Sequence, residues 1–270
     1  MMKKLISTFT GCILLTGCAG QGFNENMMIV AHRGGASLGP ENTLSCIRSG
    51  IASGADMVEI DVHLTADGQV VVCHDETIDR TTDGEGRIEN LTLAQVREAH
   101  IRDGAPEERI PTLAEVLREV KGKCGLLIEV KKTRADEYPG IEEKILEELD
   151  RLDMRHDGVA VQSFNGSVLE RFHQLDPTLP LEKLIVSRVL GKWAYDVGMN
   201  PFSLEQYSYV QSINCYAPLL SRRFIKQIHA AGMQVKVWTV ESPAKVPAGV
   251  DGVITDFPDK FVEARKGAKD

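Results

Sequence analysis

The stretch GADMVEIDVHLTADGQVVVCHD, residues 54–75, decides how this chain folds. Within it, Val58-Glu59-Ile60-Asp61-Val62 alternates apolar and acidic residues with the two-residue period of a β-strand. Side chains two apart on a strand share a face, so Glu59 and Asp61 point one way while Val58, Ile60 and Val62 pack behind them. A carboxylate pair on an alternating strand is ordinarily a solvated outer face. In a barrel the outer face of each strand is hidden under helices, and such a pair turns inward instead. Further along, Gly125-Leu126-Leu127-Ile128 leads into Glu129 and Lys131, again two apart on one face. Three carboxylates in one mouth repel each other unless a cation sits among them. Oxygen ligands of this kind suit calcium or magnesium better than zinc.

The rest of the chain supplies the barrel. Strand-like runs recur at 27–32, 56–62, 69–73, 125–130, 158–163, 183–187, 209–216, 233–240 and 252–255. Helical patterns fall between most of them, at 41–53, 112–120, 140–152, 167–174 and 221–231. This βα alternation predicts a parallel sheet covered by helices. About eight such units in roughly 230 residues fit an α/β fold of the TIM (β/α)8 type. Residues 75–111 break the rhythm with short elements and turn signals between the second strand and its helix. Pro243 and Pro247 between the last two strands leave room for one helical turn at most.

Composition narrows the function classes. With 43% hydrophobic and 26% charged residues the 270-residue chain is ordinary for a globular protein, and a net charge of −8 argues against nucleic acid as a partner. The N-terminus is a targeting segment: Lys3 and Lys4 form its charged part and Leu5 to Leu15 its apolar run, too short for a membrane span. Leu15-Thr16-Gly17-Cys18 resembles a bacterial lipobox, cut before Cys18 and lipidated there, the alternative being an ordinary secretory signal cut after small residues. Residues 1–17 are thus expected as signal peptide, 18–26 as a tether and 27–265 as the barrel. The acylated Cys18 would anchor the protein to a membrane of the cell envelope, the outer membrane or periplasmic face in a Gram-negative host. Cys46, Cys73, Cys124 and Cys215 lack paired spacing and read as small buried hydrophobes.

Two histidines stand at strand ends. His32 follows Met28-Ile29-Val30-Ala31 and precedes Arg33-Gly34-Gly35, and His74 ends Val70-Val71-Val72-Cys73. Catalytic groups of a barrel sit at the C-terminal ends of strands, and histidine transfers protons in both directions near neutral pH. Asp75 either orients His74 or caps the following turn. Arg33 and Lys131 are placed to bind anionic charge, Arg as a fork and Lys as a point charge. His63, His100, His156, His173 and His229 show no partner pattern and read as structural or solvated.

Taken in order, IVAHRGG (29–35), PENT (40–43), residues 54–75, RTTDGEG (80–86) and LLIEVK (126–131) resemble the glycerophosphodiester phosphodiesterase family, and the resemblance runs from about residue 28 to 262. It implies a TIM barrel with a small insertion after the second strand, at about 75–111, beside the mouth. It also implies hydrolysis of a small glycerophosphodiester to glycerol 3-phosphate and an alcohol. The matching residues imply His32 and His74 as general base and acid, and a divalent cation, Ca2+ or Mg2+, at Glu59, Asp61 and Glu129. Arg33 and Lys131 then hold the phosphate, and the glycerol 2-hydroxyl attacks phosphorus to give a cyclic phosphate that water opens. Asn42 of PENT resembles a family residue near the site, or simply starts a helix. Gln162-Ser163-Phe164 and Trp238 match family positions, Trp238 as an apolar wall for the glycerol carbons or as core. The 193–209 aromatic segment departs from the family and is either a lid or exterior packing.

Two other readings use the same residues. One is a lysophospholipase D-like or cyclising phosphodiesterase, which differs only in its alcohol pocket and water access. The other is a non-catalytic surface-binding lipoprotein, which loss of a histidine or carboxylate would favour; none is lost. The oligomeric state is not legible in the sequence.

Overall fold

The computed structural model describes residues 22–132, 138–187, 194–195 and 202–267. Ten strands lie in one sheet system: β1 (Met28–Ala31), β2 (Met57–Leu64), β3 (Val70–Val72), β4 (Gly125–Val130), β5 (Val159–Ser163), β6 (Leu181–Ser187), β7 (Ala194–Tyr195), β8 (Ser212–Tyr216), β9 (Gln234–Trp238) and β10 (Gly252–Thr255). Eight of them close a parallel barrel in the order β1-β2-β4-β5-β6-β8-β9-β10, with β10 returning to β1. The run at 69–73 is a strand but no stave: β3 folds back antiparallel on β2, pairing Val62 with Val72. The short β7 likewise pairs antiparallel with β6.

Helices α1 (Leu44–Ser53), α3 (Leu113–Val120), α4 (Ile141–Arg151), α5 (Gly166–Leu175), α6 (Arg222–Ala230) and α7 (Pro258–Gly267) cover the wall, and the four-residue α2 (Leu93–Val96) belongs to the insertion. Their boundaries follow local chemistry. Thr43, Thr112, Asn165 and Ser221 each cap a helix by accepting a backbone N–H, and α3 carries a full capping box between Thr112 and Glu115. The pattern at 41–53 starts later than expected, at Leu44. Asn42 is held at φ 59, outside helical space, because its side chain is committed to Asp61.

The main core lies between sheet and helices. Val58, Ile60, Val62, Leu126, Ile128 and Ile213 face outward there and are fully buried. Each such aliphatic side chain contributes about 1.5–3 kcal/mol by leaving water. Inside the barrel, Val30, Leu127, Ala160 and Ile254 form an apolar cluster. Buried Glu182, Asn214 and Lys236 form a hydrogen-bonded ion-pair network elsewhere in the interior. The insertion has a core of its own, with Val71, Cys73, Ile78, Ile88, Val96 and Ile110 buried together. It is therefore a packed unit beside the mouth.

The link between β9 and β10 holds one 3-10 turn, Pro243–Lys245, as its prolines dictate. The N-terminal segment packs against this flank. Phe23 is 8% exposed and meets Phe261 of α7 edge-on at 5.6 Å, and Gly22 lies so close to the Pro247 carbonyl that a Cβ would sit 2.3 Å from it. Both residues fall in the stretch expected to be a tether. The targeting segment and Cys18 lie outside the described residues. Of the aromatic segment, Phe202, Tyr207 and Tyr209 pack against the barrel's outer core; 196–201 lie outside the described residues. Among the described residues the four cysteines are free, three of them buried.

Candidate active site

Strand register builds the site. Asp61 of β2 pairs with Glu129 of β4, and Glu129 pairs with Gln162 of β5, so three polar side chains stand abreast on the inner face near the C-terminal ends of their strands. Glu59 lies two residues before Asp61 on the same face. Glu59, Asp61 and Glu129 are all buried, and one carboxylate oxygen from each lies within 4.8 Å of the others.

Charge balance in this cluster is tight. Burial and the neighbouring Asp61 push the Glu59 carboxyl up to about 8. Burial pushes Asp61 the same way, but the charges of Lys131, His74 and Arg33 outweigh it and hold Asp61 below the ordinary carboxylate range. The Lys131 ammonium sits between two of the carboxylates, bonded to Glu129 and 2.8 Å from Asp61 Oδ1. That last contact lacks hydrogen-bond geometry, so the oxygen is buried without a bonded partner. Three convergent carboxylates are hard oxygen donors of the kind that fits a divalent cation such as calcium or magnesium.

The 3-10 turn His32–Gly34 ends β1 and carries both His32 and Arg33. Arg33 has φ 52, a strained value for a residue with a side chain, and Gly34 has φ 86. The turn is pressed from behind by α1, where Gly50 permits the approach: a Cβ there would sit 2.2 Å from the Gly34 carbonyl oxygen. Its conformation is pinned by Arg33 N donating to Glu59 Oε2 at 2.8 Å and by Asn42 N donating to the Arg33 carbonyl at 2.9 Å. Asn42 donates from Nδ2 to Asp61 at 2.8 Å and accepts from Asp61 N at 3.2 Å, so it locks one carboxylate of the cluster and does more than start a helix. Arg33 Nη1 donates to Glu41 at 2.9 Å, while its Nε is buried with no hydrogen-bond partner. That N–H, 3.8 Å from Asp61 Oδ2, is left able to donate to an anionic oxygen.

Both histidines are oriented by a carboxylate. His32 Nδ1 lies 2.6 Å from Asp256 Oδ1, and His74 Nδ1 lies 2.6 Å from Asp75 Oδ1. With Nδ1–H donated to a carboxylate, each ring keeps Nε2 for a reacting group. Burial works against a charged His32, but the bond to Asp256 and the charge of Glu59 outweigh it and hold its pKa above the ordinary value. Asp75 therefore orients His74, the first of its two sequence-level readings. Trp238 is part-buried, donates Nε1–H to the Asn214 carbonyl at 3.0 Å and packs against Phe164 and Tyr216 with ring centroids 5.5 and 5.1 Å away.

Several residues that contact the site were given no role by the sequence. Asp256 lies just past β10, and the strand-end rule that singled out His32 applies to it equally. Glu41 and Arg80 sat inside quoted motifs without a role. Gln162 donates to Glu59 at 3.3 Å and accepts from Asn214 at 2.8 Å, a link no periodicity announces. His63 turns out to be a buried support: its ring contacts the Tyr138 hydroxyl at 2.7 Å and the His74 carbonyl at 3.2 Å, and burial lowers its pKa to about 4.

Comparison with known proteins agrees with this geometry. Residues 32–260 match the model of the glycerophosphoryl diester phosphodiesterase family. A glycerophosphodiester phosphodiesterase of Caldanaerobacter subterraneus subsp. tengcongensis is 34% identical over 250 residues, covering 89% of this chain and 98% of its own. One of Bacillus subtilis is 31% identical over 265 residues, covering 90% and 88%. The structure of an Oleispira antarctica phosphodiesterase in complex with the product sn-glycerol-3-phosphate superposes with a TM-score of 0.75 at 27% identity, covering 88% of this chain and 96% of that one. A closed parallel barrel, with paired histidines and a carboxylate cluster at one end, thus belongs to a chain that is a member of the glycerophosphoryl diester phosphodiesterase family and a phosphoric diester hydrolase of that type.

Proposed function

We propose that the protein hydrolyses small glycerophosphodiesters to glycerol 3-phosphate and an alcohol, with His32 and His74 as the acid–base pair. The observation that carries this reading is two imidazoles, each held through Nδ1 by a carboxylate at 2.6 Å, at strand ends beside the three-carboxylate cluster. The glycerol 2-hydroxyl loses its proton to one imidazole as its oxygen bonds to phosphorus. The bond from phosphorus to the alcohol oxygen breaks, and the other imidazole protonates that oxygen. Water then opens the cyclic phosphate, with the two rings exchanging roles. Arg33 and Lys131 bind the phosphoryl oxygens, and Trp238 with Phe164 gives the glycerol carbons an apolar wall. Glu59, Asp61 and Glu129 would hold a divalent cation, which supplies charge neutralisation at the phosphoryl group.

The product sn-glycerol-3-phosphate bound to the Oleispira phosphodiesterase supports this substrate class. The sequence at 15–18 supports a lipid anchor at Cys18 and a place in the cell envelope. The test is a product assay: protein incubated with glycerophosphocholine should release glycerol 3-phosphate and choline, lose turnover on chelation and regain it with calcium or magnesium. Glu59→Gln should weaken calcium binding by calorimetry while the far-ultraviolet dichroism stays native. Full turnover after exhaustive chelation, checked by elemental assay, would remove the cation from the mechanism, and release of phosphocholine in place of choline would refute the reaction.

A further inference from the structure

The insertion delivers one side chain to the site whose contacts join the two halves of the machinery. Arg80 stands on a turn fixed by Thr82, which is fully buried and donates both N and Oγ1 to the Ile78 carbonyl at 3.1 and 2.8 Å. Its guanidinium makes two bidentate pairs. Toward the histidine side, Nε donates to Asp75 Oδ2 at 2.6 Å and Nη2 to Asp75 Oδ1 at 3.3 Å. Toward the phosphate side, Nη2 donates to Glu41 Oε1 at 2.6 Å and Nη1 to Glu41 Oε2 at 3.0 Å. Asp75 Oδ1 is the atom that holds His74 Nδ1, and Glu41 Oε1 is the atom that holds Arg33 Nη1. One planar cation therefore sits between the carboxylate that orients a proton-transfer ring and the carboxylate that orients a phosphate-binding guanidinium.

We infer that Arg80 is a positioning residue of the enzyme: acting through Asp75 and Glu41, it sets the geometry of His74 and Arg33 relative to each other, and this is the part the insertion plays in catalysis. The inference rests on the acid–base reading of His74. Bidentate geometry makes the role specific to arginine, because an ammonium cannot satisfy two carboxylates in one plane. The Arg80 side chain is 48% exposed, so its removal leaves the cores of barrel and insertion intact.

The experiment is a kinetic cycle on glycerophosphocholine with wild type, Arg80→Gln, Asp75→Asn and the double variant. Arg80→Gln should lower kcat about 10- to 100-fold, the usual effect of removing a partner that orients a functional histidine. Its unfolding midpoint should stay within about 2 °C of wild type, as for other exposed substitutions. Because Arg80 acts in part through Asp75, the two losses should combine in the double variant to less than their product. Arg80→Lys should recover little of the rate, and it serves in the same cycle if Arg80→Gln does not fold. Wild-type kcat in Arg80→Gln, or losses that multiply fully in the double variant, overturn the inference. His74→Ala separates it from the reading beneath it. A slow His74→Ala beside an unimpaired Arg80→Gln sinks the inference alone, whereas an unimpaired His74→Ala sinks both.

Discussion

His32 and His74 illustrate how little a residue type says until its partners are known. Each is an ordinary imidazole, and each becomes a candidate proton-transfer group because a carboxylate fixes Nδ1 and frees Nε2. His63, one strand position beyond Asp61's neighbour Val62, has the same ring and a different fate, buried under His74 with both nitrogens occupied. A general acid or base contributes about 10²- to 10⁴-fold to rate. His32→Ala and His74→Ala are therefore each expected to lower kcat by about that factor, with less change in KM. Steady-state kinetics, with circular dichroism to verify folding, checks this; two folded variants with unchanged kcat would place the chemistry elsewhere. Asp256→Asn should reproduce part of the His32→Ala loss without removing the ring, because it unfixes the tautomer that Asp256 imposes.

At the scale of elements, the segment that carries the insertion back to the barrel ends in the capping box of α3. Glu115 accepts from Thr112 N at 2.8 Å and from its hydroxyl at 2.9 Å, and it also pairs with Arg97 of the insertion. Thr112→Ala should cost about 1 kcal/mol of unfolding free energy, the usual worth of an N-cap, read from denaturant titrations. Partial burial raises the Glu115 pKa, but the bonds from Thr112 and the charge of Arg97 outweigh it and leave the carboxyl below its ordinary value. The sign follows from linkage. A carboxyl depressed in the folded state stabilises fully above the unfolded value, about 4.3, and that contribution is lost as pH falls through the folded value. Glu115→Gln should therefore reduce stability at neutral pH and flatten the acid limb of the stability profile below about pH 4.3; an acid limb as steep as wild type would contradict the assignment.

Over the whole molecule, the β9–β10 link contains no α-helix. Its single 3-10 turn leaves a gap in the helical layer, and Gly22 and Phe23 pack there against Pro247 and Phe261. Phe23→Ala should destabilise by about 3 kcal/mol, at the low end for a buried phenylalanine because the site lies at the edge of the core. An unchanged thermal midpoint would show that the segment is dispensable. A lipid anchor at Cys18 would then leave only 19–21 between acyl chains and folded body, about 10 Å of extended chain. Wild type should sediment with membranes and carry acyl chains by mass spectrometry, while Cys18→Ser should not be acylated; a soluble, processed, unacylated wild type would refute the anchor. Much of the molecule was legible in the chain. The two-residue period of 58–62, the apolar runs and the helices between them follow from local sterics and from burial, which act over a few residues, and they dictated both the strands and the βα alternation of a barrel. The carboxylates of β2 and β4 were legible for the same reason, since strand periodicity fixes which side chains share a face; His32, Arg33 and His74 lie in turns that follow strands and were marked by motif order instead. The chain could not say that Asp256 would meet His32 across 224 residues, that β3 would fold back on β2, or that Arg80 would bridge Asp75 and Glu41. Those contacts depend on barrel closure and on how the insertion packs its own core, and a hydrogen bond between distant segments leaves no periodic trace in either of them.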